Sequence, residues 1–140
     1  MSDTVHATCV AIHGRAVLIE GRSGTGKSDL ALRLIDRGAV LVGDDRVRIE
    51  AAGGRLVAHA VPTIAGRIEV RGVGIATLPF LAEAPVALLV MLGAPVKRLP
   101  EPMTRRLAGV DIPAIALDAF EASTPIKIEL ALRQPEAILP

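Results

Sequence analysis

Eight residues near the start of the chain, Gly21-Arg22-Ser23-Gly24-Thr25-Gly26-Lys27-Ser28, constrain its folding more than any other stretch. They fill every fixed position of G-x-x-x-x-G-K-[ST], and their flanks supply the context that the pattern needs. Before them runs the apolar "AVLIE". After them comes "SDLALRLIDRG", in which Leu30, Ala31, Leu34 and Ile35 share one helical face and Gly38 is placed to end the helix. A strand, a bare loop and a helix in that order turn successive backbone N–H groups and a helix N-terminus toward one point, which suits a phosphate. Gly21, Gly24 and Gly26 keep side chains out of the way, with Arg22, Ser23 and Thr25 completing the cradle. Lys27 is expected to reach the terminal phosphates of a nucleotide, and the Ser28 hydroxyl to ligate Mg²⁺. The bland alternative, a glycine-rich turn capped by Ser28, accounts for neither flank.

The remainder reads as strands. "TCVAI" and "AVLIE" suit a hairpin turning at His13-Gly14, and "AVLVGDD" a strand that delivers Asp44 and Asp45 at its carboxyl end beside the P-loop strand. "RVRIE" and "RLVAHAV" alternate on either side of the turn "AAGG", and "RIEVRGVGIATL" alternates until Gly72 and Gly74 interrupt it. The fully apolar "VALLVML" suits a central strand. "GAPVKRLPEP" is a loop, since its prolines forbid a long helix, and "KIELALR" fits a strand or a short helix equally well.

Composition bounds the class. A chain of 140 residues, 51% hydrophobic and without Trp or Tyr, suits one domain spanning 1–140 with an aliphatic core. The expected fold is α/β leaning toward α+β, with few helices. Sixteen basic and fifteen acidic residues nearly cancel, which gives no reason to expect a nucleic-acid or membrane partner. A single cysteine, Cys9, excludes an internal disulfide framework, and its apolar neighbours suit a buried thiol. "MSDTVHATCV" lacks a signal-peptide layout, and "APVALLVMLGAPV" is too short to span a bilayer. Cytoplasmic residence is the expectation.

Transfer chemistry asks for more than a phosphate cradle. Asp44 and Asp45 are the candidate metal and proton groups, since adjacent strand residues point apart and can take separate roles. The plain alternative is an Asp-Asp turn cap.

With these residues in view, "GRSGTGKSDLALRLIDRGAVLVGDDRVRI" followed by "IEVRGVGI" resembles the catalytic domain of the HPr kinase/phosphorylase family. The family pairs a G-x-S-G-x-G-K-S loop and an Asp-Asp strand end with a later Glu-Ile-Arg-Gly-x-Gly-Ile signature. The likeness is strong from His6 to Ile75 and weak beyond. It implies a P-loop-containing core like that of ATP-dependent phosphoenolpyruvate carboxykinase, with a mixed sheet. It also implies ATP and Mg²⁺, and transfer to a serine of HPr, the phosphocarrier of the sugar phosphotransferase system, or of its nitrogen-related counterpart. Homo-oligomers are implied too, hexameric in full-length relatives.

Carried over by position, Lys27 and the loop amides hold the β- and γ-phosphates. Asp44 moves the proton, with a swap of roles with Asp45 left open, and Ser28, Asp45 and Glu69 surround the metal. His6 matches a family histidine near the aspartate pair, against the alternative of a merely solvated side chain. Arg71 is implied near phosphate or a subunit contact, whereas alternation alone gives Glu69 and Arg71 an exposed cross-strand pairing. Lys97-Arg98 and Arg105-Arg106 read as solvated charges.

Two departures qualify the match. Typical members carry a separate N-terminal domain, for which 140 residues leave no room. Where the family has Pro-Gly-Arg-Asn, this chain has "FEASTPIKIELAL", without the arginine. That loop is tied in the family to the reverse phosphorolysis, so the expectation here is a kinase rather than a phosphorylase. Two rivals stand: a small-metabolite kinase, disfavoured by the hairpins between Arg46 and Leu78, and a non-catalytic nucleotide sensor.

Overall fold

A computed structural model describes residues 2–133. Strands β1 (Ser2–Val5), β2 (Thr8–Ile12) and β3 (Arg15–Glu20) precede helix α1 (Lys27–Asp36) and strand β4 (Val40–Gly43). The hairpins β5 (Val47–Ala52) with β6 (Arg55–His59) and β7 (Arg67–Val70) with β8 (Gly74–Thr77) follow. The long β9 (Glu83–Leu92), the hairpin β10 (Met103–Leu107) with β11 (Val110–Leu117), and α2 (Thr124–Arg133) complete the order. Few helices and a mixed sheet match the fold expected from the sequence.

The apolar "VALLVML" lies at the centre, as expected. β9 pairs with β3 along one edge, and on the other with β6 through residues 83–85 and with β11 through residues 89–92. Its neighbours β3 and β11 run parallel to it, while β6 is antiparallel. The nine-stranded sheet runs β1-β5-β6-β9-β3-β2-β4, with β11 and β10 branching from β9.

One relation differs from the sequence-based expectation. β4 is not beside the P-loop strand, because β2 lies between them. The two-residue turn His13-Gly14, both residues at positive φ (49° and 78°), obliges β2 to pair with β3 and leaves β2's other edge to β4. Since β2 is antiparallel to both, the carboxyl ends of β3 and β4 meet the amino end of β2 at one edge of the sheet. That edge carries the site.

Each face of the sheet is covered. Val17 and Ile19 of β3 and Val10 of β2 pack against Leu30, Ala31 and Leu34 of α1, Ile128 of α2 and Ile68 of β7. Burying each of these large aliphatics contributes roughly 1.5–3 kcal/mol. On the opposite face Cys9, Ala16 and Leu18 pack with Val47, Ile49, Leu56 and Ala58 of the β5–β6 hairpin. Cys9 is fully buried, and that burial pushes its thiol far above the ordinary range, in keeping with a structural residue. α1 ends as its sequence predicts: Gly38, at φ 108°, donates to Ile35 O and Ala39 donates to Leu34 O. Among the described residues, no helix is long and apolar enough to cross a membrane.

Candidate phosphate-binding and catalytic site

The loop from Gly21 to Gly26 joins β3 directly to α1. Gly24 and Gly26 hold φ of 86° and 92°, a region that side-chain-bearing residues adopt only with strain. Gly21 is required for a different reason: a Cβ there would lie 2.5 Å from Thr25 Oγ1 and 3.2 Å from the Leu92 carbonyl oxygen. The Thr25 hydroxyl donates to Arg22 O at 2.6 Å and closes the turn. The N-cap Gly26 provides no side-chain hydrogen bond, so first-turn N–H groups of α1 face the loop without a capping partner. An anion is the natural complement of that geometry. Lys27 Nζ donates to Gly21 O (2.7 Å) and Arg22 O (3.2 Å), which uses two of its three protons and keeps the ammonium over the loop.

Asp44 follows β4 and is largely buried. It accepts three hydrogen bonds: Ser28 Oγ to Oδ1 at 2.7 Å, Thr8 Oγ1 to Oδ1 at 2.9 Å, and the Glu69 backbone N–H to Oδ2 at 2.9 Å. A carboxylate offers about four lone-pair positions, so one on Oδ2 remains open. Thr8, fully buried at the start of β2, also accepts a long bond of 3.4 Å from the Asp45 N–H. One hydroxyl therefore spans both aspartates. Asp45 is exposed and left-handed at φ 72°, a conformation that aspartate tolerates better than most residues.

These groups line one cleft of about 460 Å³. Its walls include Ser23, Gly24, Gly26, Lys27, Ser28, Asp44, Asp45, Glu69 and Arg71, most of the candidates marked in the sequence. The hairpin β7–β8 brings Glu69 and Arg71 across from α1, with Ile68 buried behind them. Gly21, Arg22 and Thr25 belong to the loop but do not line the cleft, and His6 is exposed and also lies outside the lining. The contact with the aspartates from that part of the chain is made two residues later, by Thr8. Lys97, Arg98, Arg105 and Arg106 also lie apart, with Arg105 paired to Glu20 (2.6 Å) and Arg106 to Asp111 (3.1 Å).

Sequence reasoning passed over Thr8 and Phe120, which also line the cleft. Thr8 could have been flagged as a polar residue opening an otherwise apolar strand. Phe120 sits in a loop that carries no pattern of its own.

The donors available to a divalent cation are all oxygens: Ser28 Oγ and the carboxylates of Asp44, Asp45 and Glu69. Among the described residues, no three His, Cys, Asp or Glu side chains are grouped so that they could hold a metal ion by themselves. Mg²⁺ in phosphate sites is commonly held by one or two carboxylates plus phosphates and water, so a hard-oxygen set completed by a phosphate ligand fits it.

A strand, a glycine loop and a helix in that order, with a buried aspartate behind the loop's serine, define a P-loop protein built on a mixed sheet. Comparison with known proteins narrows this further. The chain belongs to the HPr Serine kinase C-terminal domain family, whose model matches residues 1–81. It is 44% identical over 77 residues to the HPr kinase/phosphorylase of Clostridium tetani, and 47% identical over 73 residues to that of Bordetella petrii. These matches cover 55% and 51% of this chain but only 25% and 24% of the relatives, so the chain spans about a quarter of their length. The solved structure of the Hpr(Ser) kinase/phosphatase from Coxiella burnetii superposes with a TM-score of 0.84 at 27% identity, covering 96% of this chain and 91% of that one.

Proposed function

We propose that this chain is an ATP-dependent protein-serine kinase acting on an HPr-type phosphocarrier. The observation that carries the proposal is the pairing of an uncapped P-loop helix with a buried aspartate that the loop's own Ser28 contacts. Family membership and the named relatives point to the acceptor. Cytoplasmic residence and homo-oligomeric assembly accompany the proposal.

In this mechanism the α1 N-terminus, the loop amides and Lys27 bind and orient the triphosphate. Ser28, Asp45 and Glu69 would hold Mg²⁺, whose charge would offset that of the phosphates. Asp44 takes the proton of the attacking serine hydroxyl on the open lone pair of Oδ2. Three donors fix its orientation, and such positioned proton transfer is worth roughly 10²–10⁴-fold in rate. Arg71, on the opposite wall, meets the phosphoryl group or the incoming acceptor. Phosphorolysis is not part of the proposal, since the loop at 120–123 reads Phe-Glu-Ala-Ser.

One observation favours a second division of labour. Ser28 Oγ bonds Asp44 and not Asp45, which would give Asp44 to the metal and leave the exposed Asp45 for the proton. Purified chain, Mg-ATP and HPr-type carriers, read by intact mass and fragment mapping, test the proposal. One phosphate on a carrier serine, absent with Lys27→Ala, is the expected result. Tight nucleotide binding without transfer to any carrier would move the function to a nucleotide sensor.

A further inference from the structure

We propose that Phe120 seats the nucleoside end of the ligand. Its ring packs on the base or sugar while the P-loop holds the phosphates, so the site selects nucleoside triphosphates over bare polyphosphates. The proposal rests on the nucleotide reading of the P-loop and adds the half of the ligand that the loop does not touch.

The topology supplies the position. β3, β9 and β11 are parallel, so the P-loop after β3 and the 118–123 segment after β11 emerge at the same sheet edge. Ligands of open α/β sheets lie across such carboxyl ends. The two loops touch: a Cβ built on Gly26 would lie 3.1 Å from Ala119 Cβ and 3.2 Å from Phe120 Cε1. The ring therefore stands beside the start of α1, against the cleft.

Its exposure is the informative part. Phe120 is 72% exposed, one of two phenylalanines in a chain without tryptophan or tyrosine. The segment that carries it is nonetheless firmly tied. Arg33 donates to Ala119 O and to Glu121 O (3.2 Å) while its Nε engages Asp29 (3.0 Å). Asp118 Oδ1 accepts from the Phe120 N–H at 2.9 Å, Thr124 Oγ1 donates to Asp118 O, and Lys127 Nζ meets Glu121 at 2.7 Å. Ala119, next in sequence, is buried. A segment anchored on both sides thus presents a phenyl ring to solvent at the mouth of a polar cleft. Half-buried Leu32 and Val70 add apolar surface to the same walls. A polyphosphate gains nothing from that surface, whereas a nucleobase offers a face to stack on it.

The test is calorimetric titration of the full chain with ATP and with inorganic tripolyphosphate, each with Mg²⁺, for wild type, Phe120→Ala and Phe120→Trp. The wild type should bind ATP more tightly than tripolyphosphate. Phe120→Ala should weaken ATP by about tenfold while tripolyphosphate binds as before, and Phe120→Trp should keep the ATP affinity. Equal weakening of both ligands would overturn the proposal, because the ring would then act only by shaping the P-loop. Unchanged ATP affinity with transfer to the carrier lost would also overturn it and assign the ring to the protein substrate. If neither ligand binds the wild type, the nucleotide reading itself fails and takes the proposal with it.

Discussion

The Ser28 hydroxyl donates to Asp44 Oδ1 across 2.7 Å, tying the first turn of α1 to the carboxyl end of β4. The strands leading to these residues are not neighbours, because β2 separates them, and Thr8 of β2 fills the space with a second bond to the same oxygen. The site is thus held by two hydroxyls on one carboxylate, the buried Thr8 and the half-buried Ser28.

Thr8→Val keeps the shape of the threonine and removes its hydrogen bonds. Leaving buried Asp44 short of a donor should cost about 1–3 kcal/mol. Thermal unfolding should show the loss, and transfer activity should fall further than stability alone explains. Thr8→Ser should restore both. Equal stability of the valine variant and wild type would deny Thr8 its bridging role.

Gly21→Ala places a methyl 2.5 Å from Thr25 Oγ1 and against Leu92. Overpacking of this kind costs roughly 1–3 kcal/mol, and it should distort the loop enough to weaken nucleotide binding. Adding Thr25→Ala to Gly21→Ala removes the closest clash and should recover part of the loss in a calorimetric titration. A double variant no better than the single would place the constraint elsewhere.

How far these contacts could be foreseen varied with the kind of signal. The P-loop, α1 with its Gly38 stop, the central β9 and the hairpin turns at His13-Gly14 and Gly53-Gly54 all follow from local patterns, where one stretch carries its own instruction. β10 and β11 did not. Their turn is Ala108-Gly109, with Ala108 at φ 47°, and an alanine in that conformation gives no turn signal. Pro113 lies inside β11 just before its pairing with β9 begins, and it disguises the strand further. β1 is an exposed edge with no apolar alternation to mark it. Thr8 was hidden because its importance lies in a neighbour 36 residues away, which only the β2–β4 pairing brings into reach.

Arg37 of the α1 C-cap and Glu129 of α2 form a two-pronged ion pair at 2.7 and 3.0 Å. The hydrogen bond from Arg37, which outweighs burial, holds the Glu129 carboxyl below the ordinary glutamate range. A carboxyl depressed in the folded state stabilises above its ordinary value, about 4.5, and loses that contribution as pH falls through the folded value. The difference in melting temperature between wild type and Glu129→Gln should be constant from neutral pH down to that point and shrink below it. The effect should be small, since both side chains are partly exposed. A difference that widens on acidification would contradict the sign.

Lys27→Ala should leave the fold intact, since its ammonium reaches only loop carbonyls, and should abolish measurable binding of Mg-ATP. Circular dichroism and calorimetry on the same sample check both halves. Undiminished affinity would remove the lysine from the phosphate site.

The most direct measurement is the initial rate of phosphate transfer to a carrier serine for wild type, Asp44→Asn and Asp45→Asn, with Mg-ATP affinity measured alongside. Asp44→Asn should lose at least about a hundredfold in rate at preserved nucleotide affinity, the scale of general-base catalysis, while Asp45→Asn should lose affinity for Mg-ATP. Transfer by Asp44→Asn at the wild-type rate would contradict the account, and its loss in Asp45→Asn alone would hand the proton to the exposed aspartate.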